Sequence, residues 1–95
     1  MDLKRIKDKK LYFCDSAEWV HEQLLCMEKL YDYNMSRPLE QEKRAQMLKD
    51  FFGGVGKNLY IEPPLHANWG RNTYWGDNCY ANFNLTLVDD GDVII

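Results

Sequence analysis

No stretch of this 95-residue chain approaches the roughly 18 consecutive apolar residues that a membrane span needs. No apolar signal core follows the basic start either, so the chain is expected to work in the cytoplasm, with no membrane partner. Cysteine is sparse: Cys14, Cys26 and Cys79 are odd in number, far apart and without a C-x-x-C pair. That pattern fits reduced structural thiols, not a disulfide framework or a metal site. His21 and His66 are the only histidines, and neither has ligand spacing to a cysteine, so no zinc site is expected. An excess of positive charge is missing too. The net charge of -3 excludes a general nucleic-acid binder. Lys4, Arg5, Lys7, Lys9 and Lys10 crowd the start, but Asp2 and Asp8 interrupt them, which reads as a solvated terminus.

What the chain does have is a repeat. Written in sixes, Trp69 to Ile95 reads WGRNTY, WGDNCY, ANFNLT, LVDDGD, VII. The first slot holds Trp69, Trp75, Ala81, Leu87 and Val93, an apolar residue returning to the same side of successive short strands. The fourth slot holds Asn72, Asn78, Asn84 and Asp90. Asn and Asp tolerate a left-handed backbone better than other residues with a Cβ, so this slot reads as a corner. One strand and one corner per six residues predicts that three units close a turn of a triangular parallel β-helix.

The first half is helical by pattern. Asp15-Ser16-Ala17-Glu18 has the spacing of a capping box, and a helix is predicted to run to about Asn34. Val20, Leu24, Met27 and Tyr31 share one face, widened by Trp19 and Leu30, and are read as core. After Ser36-Arg37-Pro38 a second helix is predicted over 38–52, with Leu39, Met47, Leu48, Phe51 and Phe52 as its apolar face. Gly53-Gly54 ends it. Residues 55–65 then take a strand period, and Glu62-Pro63-Pro64 forces a stiff bend before the sixes. The predicted class is α+β: a helical unit over 1–54 covering the open first coil of a β-helix over 55–95. The last strand, Val93-Ile94-Ile95, stops in mid-repeat, as a truncated solenoid would.

Leu11-Tyr12, Glu42-Lys43-Arg44, Phe51-Phe52-Gly53, Val55-Gly56, IEPPL, the two WGxN blocks and YANFNLTLVDD together resemble the maltose and galactoside O-acetyltransferases. These are hexapeptide-repeat acyltransferases, and the resemblance covers the whole chain but only their opening portion. It implies a left-handed β-helix beneath a helical cap, a homotrimer with active sites between subunits, and acetyl transfer from acetyl-CoA to a sugar hydroxyl. It also implies a histidine general base and CoA-binding coils, both expected beyond Ile95. Carried over position by position, Asn68, Tyr80, Asn82 and Asp90 match the residues facing the sugar acceptor. Asn84 reads as a corner, and Asp90 reads equally as corner or ligand. Asn82 stands outside the corner slot, which favours a pocket role. Gln23 falls where many relatives carry an arginine, which leaves acceptor preference open. Neither His21 nor His66 occupies the position of the base.

Two other functions compete with an incomplete sugar O-acetyltransferase. One is a non-enzymatic interaction module whose last coil pairs with another chain. The other is a sugar-binding lectin using Tyr80, Asn82 and the tryptophans.

Overall fold

The computed structural model describes residues 16–95. The expectations placed on Leu11-Tyr12, Cys14, the Asp15 cap and the basic residues 4–10 lie outside them. Two helices, α1 (Ser16–Asn34) and α2 (Gln41–Phe51), pack on each other and on the start of a solenoid. Among the described residues no helix is long and apolar enough to cross a membrane.

The solenoid starts earlier than the sixes. Its first coil is β1 (Gly54–Val55), β2 (Tyr60–Ile61) and β3 (Leu65–Ala67). The second is β4 (Thr73–Trp75), β5 (Tyr80–Ala81) and β6 (Leu85–Leu87), and β7 (Val93–Ile94) opens a third. Three parallel sheets result, ordered β1-β4-β7, β2-β5 and β3-β6. Gly54 pairs with Tyr74, Tyr60 with Tyr80, Leu65 with Leu85 and Thr73 with Val93. A turn therefore takes 20 residues, not three sixes. The surplus falls in the long corner 68–72 and its counterpart 88–92. Trp75, Ala81, Leu87 and Val93 face inward as their slot predicts. Trp69 does not join a strand: it is buried in the long corner against Trp19, with ring centroids 5.9 Å apart.

Asparagine turns two of the three corners. Asn78 and Asn84 have φ of 57° and 67°, and Asn58, outside the sixes, has 59°. Asn58 donates through Nδ2 to Asn78 Oδ1 at 2.9 Å, so the corner stacks from coil to coil. In the long corner the expectation fails, because Asn72 and Asp90 keep negative φ and Gly70 takes the turn at 77°. A Cβ on Gly70 would stand 2.4 Å from the Phe51 ring, so glycine is needed there for space as well as for backbone.

In a parallel ladder, alternate residues direct their peptide groups to opposite neighbours. Tyr60 and Glu62 donate N–H to Cys79 O and Ala81 O in the next coil. Ile61 and Leu65 therefore face the other way, where no strand of the described residues lies. Helix α1 fills that edge. Tyr33 Oη donates to Ile61 O, and Cys26 Sγ points at Ala67 O from 4.0 Å. Asn34 acts as a strand partner would: its Oδ1 accepts from Leu65 N at 2.7 Å and its Nδ2 donates to Leu65 O at 2.9 Å. Each buried peptide group left unpaired would cost about 1–3 kcal/mol.

This requirement fixes the roll of α1 and overturns the predicted core stripe. Val20, Leu24, Met27 and Tyr31 are at least half exposed. The face turned inward carries Cys26, Leu30, Tyr33 and Asn34, which holds the edge partners the stripe lacks. The start of α2 also moves. Glu40 N donates to Arg37 O in a turn over 37–40, so the helix begins at Gln41 and Leu39 is 97% exposed, outside the core. The rest of the α2 face is as predicted: Leu48, Phe51 and Phe52 are buried, and Phe52 meets Trp75 edge-on at 5.6 Å.

Replacing Asn34 by Ala leaves both peptide groups of Leu65 unpaired, so Asn34→Ala is expected to cost about 3 kcal/mol by denaturant unfolding, and Val20→Ala under 1. Equal costs for the two would refute the edge-pairing role. A pH dependence follows as well. Burial pushes the Tyr33 phenol from 10.0 up to about 12, and burial, helped by Asp89, pushes the Cys26 thiol from 9.0 up to about 11. Both groups hold their protons more tightly when folded. Their contribution is complete below pH 9.0 and is lost as pH rises through about 11 and then about 12. The unfolding midpoint is expected to fall across that window, less steeply in a Tyr33→Phe, Cys26→Ala double variant; parallel slopes would contradict it.

Candidate functional site

The longest corner concentrates the polar chemistry. Asp89 and Asp90 are neighbours in sequence with opposite fates. Asp89 is 0% exposed, accepting from Trp69 N through Oδ1 at 2.8 Å and from Thr73 Oγ1 through Oδ2 at 3.1 Å. Its carbonyl accepts from Asn72 Nδ2 at 2.9 Å. A buried carboxylate is tolerated only with such partners. Here they tie the second coil's corner to the first coil's. Asp90 points outward, and its Oδ1 accepts from Asn68 Nδ2 at 3.2 Å and from the Trp69 indole Nε1 at 3.1 Å. Oδ2 has no partner among the described residues. The Arg71 guanidinium stands over the Trp69 ring, 5.0 Å from its centroid, and Arg71 pairs with Glu22 of α1. Helix α1 thus meets this corner through a carboxylate, while the cation stands on the coil.

Asn68 and Asp90, two of the four sequence candidates, are thereby joined. Tyr80, in β5, and Asn82, at the corner after it, stand on the same coil as Asp90, before the three residues of β6, about 10 Å of strand. Tyr80 is 66% exposed, its ring stacked on Tyr60 with centroids 5.9 Å apart and planes at 22°. The Asn82 side chain has a local task after all, since its Oδ1 accepts from Phe83 N at 2.8 Å in the tight corner before Asn84. Its Nδ2 is left facing outward. On the face between the two pairs lie His66 and Thr86, in register and both exposed. Among the described residues no hydrogen bond orients His66, and His21 is exposed on α1. An imidazole with nothing to fix its tautomer is a poor general base.

Sequence reasoning missed three residues. Asp89 was hidden beside Asp90, which the repeat places in the corner slot. Arg44 is 4% exposed, and its guanidinium donates to Ser36 Oγ, Ser36 O and Tyr60 Oη at 2.8, 2.9 and 3.1 Å. Tyr60 passes the contact on, donating to Glu62 Oε1 at 2.9 Å. Desolvation and that hydrogen bond raise the Tyr60 phenol above its ordinary value. No sequence signal marks Arg44 as buried.

A family model described as the maltose acetyltransferase hexapeptide capping motif matches residues 9–56. The chain belongs to the maltose and galactoside O-acetyltransferase family. Galactoside O-acetyltransferase of Escherichia coli K12 is 45% identical over 93 residues, 97% of this chain and 45% of that protein. A galactoside acetyltransferase solved in complex with coenzyme A superposes with a TM-score of 0.83 at 38% identity, over 99% of this chain and 48% of that one. A maltose O-acetyltransferase from Clostridium difficile 630 gives 0.76 at 30% identity, over 78% and 40%. The chain thus spans about half the length of the curated relatives it matches.

Removing the Asp89 carboxylate strands the Trp69 amide and the Thr73 hydroxyl. Asp89→Ala is expected to cost about 3 kcal/mol by urea unfolding and to shift the Trp69 indole N–H resonance; Asp89→Asn, which keeps an acceptor, costs about 1. An Ala variant within about 0.5 kcal/mol of the parent would remove Asp89 from this role.

Proposed function

We propose that this chain forms the acceptor side of an acetyl-CoA-dependent sugar O-acetyltransferase, on a left-handed β-helix that assembles as a homotrimer. One observation carries the reading: the outward carboxylate of Asp90, braced by Asn68 and the Trp69 indole on the coil that also exposes Tyr80 and Asn82. Bracing consumes one oxygen of Asp90 and leaves the other to accept from a sugar hydroxyl. Asn82 Nδ2 and the exposed Tyr80 phenol, at the corner before β6 and on β5, supply donors. Family membership and the relatives named for galactosides and maltose support sugars as the acceptor class.

Acetyl-CoA would supply the thioester carbon that the sugar oxygen attacks. The described residues do not fit the donor by themselves. Of the two cations on the coils, Lys57 and Arg71, the second is engaged by Glu22 and Trp69, and no histidine is oriented to take the hydroxyl proton. Neither the base nor the donor site is accordingly assigned to the described residues. The interaction-module reading has the unpaired outer edge of β5, β6 and β7 in its favour, but it leaves the Asp90 cluster without a task.

The test uses the 95-residue chain. Titration with maltose and a galactoside is expected to shift the Trp69 indole N–H and the Asn82 side-chain amide, and Asp90→Ala to weaken binding about tenfold. Acetyl transfer, followed as free CoA thiol, is expected to stay at background. A folded chain that binds neither sugar refutes the acceptor side; sugar-dependent turnover refutes the placement of the base and returns His66 to consideration.

A further inference from the structure

Tyr80 is the one acceptor candidate that presents a ring, and a two-torsion side chain exposed on a short strand has no intrinsic reason to hold one direction. Its neighbour does. Tyr60 is the register partner of Tyr80 on the adjacent strand, and the two rings lie at 22° with centroids 5.9 Å apart. Tyr60 is held at its hydroxyl from two sides. Arg44 of α2 donates to it at 3.1 Å, and it donates to Glu62 at 2.9 Å on the stiff bend before Pro63. Arg44 is anchored in turn on Ser36 Oγ and Ser36 O in the turn between the helices. Arg44 has no carboxylate in direct contact among the described residues; the hydroxyl of Tyr60 stands between its charge and that of Glu62. The ring that lies against Tyr80 is thus clamped at its far end by a charge-assisted chain, and clamped at its near end by strand pairing.

We propose that Tyr60 is a positioning residue of the acceptor site: clamped by Arg44 and Glu62, it fixes the tilt of the Tyr80 ring, and so the place its phenol offers to a hexopyranose hydroxyl. This rests on the acceptor-side reading above. It gives the helical unit a second task. Beyond pairing the open edge of the first coil, the helices reach the sugar site of the second coil through one guanidinium and two stacked rings. Offset aromatic stacking alone is modest, so the clamp matters: a free ring would slide with its neighbour, whereas a ring pinned at its hydroxyl dictates an orientation. The chain of contacts is local, and among the described residues Tyr80 makes no other ring contact.

Two readouts on the 95-residue chain test it, one of them independent of sugar. Side-chain couplings of Tyr80 are expected to report one χ1 rotamer in the parent, partial averaging in Tyr60→Phe and in Glu62→Ala, and full averaging in Tyr60→Leu. Affinity for maltose or a galactoside is expected to fall in the same order, about threefold for the first pair and about tenfold for Tyr60→Leu, while the Trp69 indole resonance stays in place. If Tyr60→Leu does not fold, Tyr60→Phe and Glu62→Ala carry the test alone, because both leave the strand pairing intact. An unchanged Tyr80 rotamer in folded variants overturns the proposal, as does an unchanged affinity in a chain whose Tyr80→Ala variant no longer binds. A parent that binds no sugar yet shows the rotamer series refutes the acceptor reading while sustaining the Tyr60–Tyr80 coupling.

Discussion

A parallel solenoid has an edge that it cannot pair by itself. The first coil turns the peptide groups of Ile61, Leu65 and Ala67 away from the second coil, and at this end no strand of the described residues pairs with them. Apolar cover would not serve, because each buried group without a partner costs as much as a well-buried side chain returns. The helix that covers the edge must therefore bring hydrogen-bonding groups in strand-like positions. Tyr33 and Asn34 do so from the last turn of α1, and the Asn34 carboxamide reproduces the two-way bond of a neighbouring peptide. Once that turn is seated, the roll of α1, the direction of the turn after it and the approach of α2 follow.

Seating α1 by its polar end explains why its apolar stripe is left outside. Val20, Leu24, Met27 and Tyr31 satisfy the helical period, yet period reports only that residues share a face, not which face is chosen. The choice was made by residues that look unremarkable in sequence, a tyrosine and an asparagine. Leu39 misled for a different reason. Proline is at ease in a first helical turn, so 38–52 was a fair span, but Glu40 N and Glu40 Oε1 both engage Arg37 and close a turn before the helix begins.

The solenoid was more legible, because its determinants are local. Asn78 and Asn84 declare their corners through a backbone that few other residues accept, and alternation placed Leu59 and Ile61 inside. What six-residue spacing concealed was the third corner. Trp69, Gly70 and Asn72 there do work that a corner asparagine does elsewhere, and the added length lets a side-chain carboxylate replace strand hydrogen bonds. Of the candidate site, the family resemblance pointed to Asn68 and Asp90 as well as Tyr80 and Asn82, but not to the residues that hold them. Support of that kind comes from contacts across 16 and 20 positions, such as Arg44 with Tyr60 and Trp69 with Asp89, and no local pattern announces it.

The paired aspartates show how one corner can be both rigid and available. A single carboxylate would have to choose between closing the backbone and facing a ligand, since an oxygen that holds Trp69 N is not free for a hydroxyl. Two in succession divide the work: in this corner Asp89 is buried and Asp90 is exposed. Asp89, inside, fixes the main chain at Trp69; Asp90, outside, then finds the Trp69 indole and Asn68 already in place. The braced orientation of Asp90 is thus a consequence of the buried residue before it. A substitution at either position is felt at the other, although only one of the two can touch a ligand.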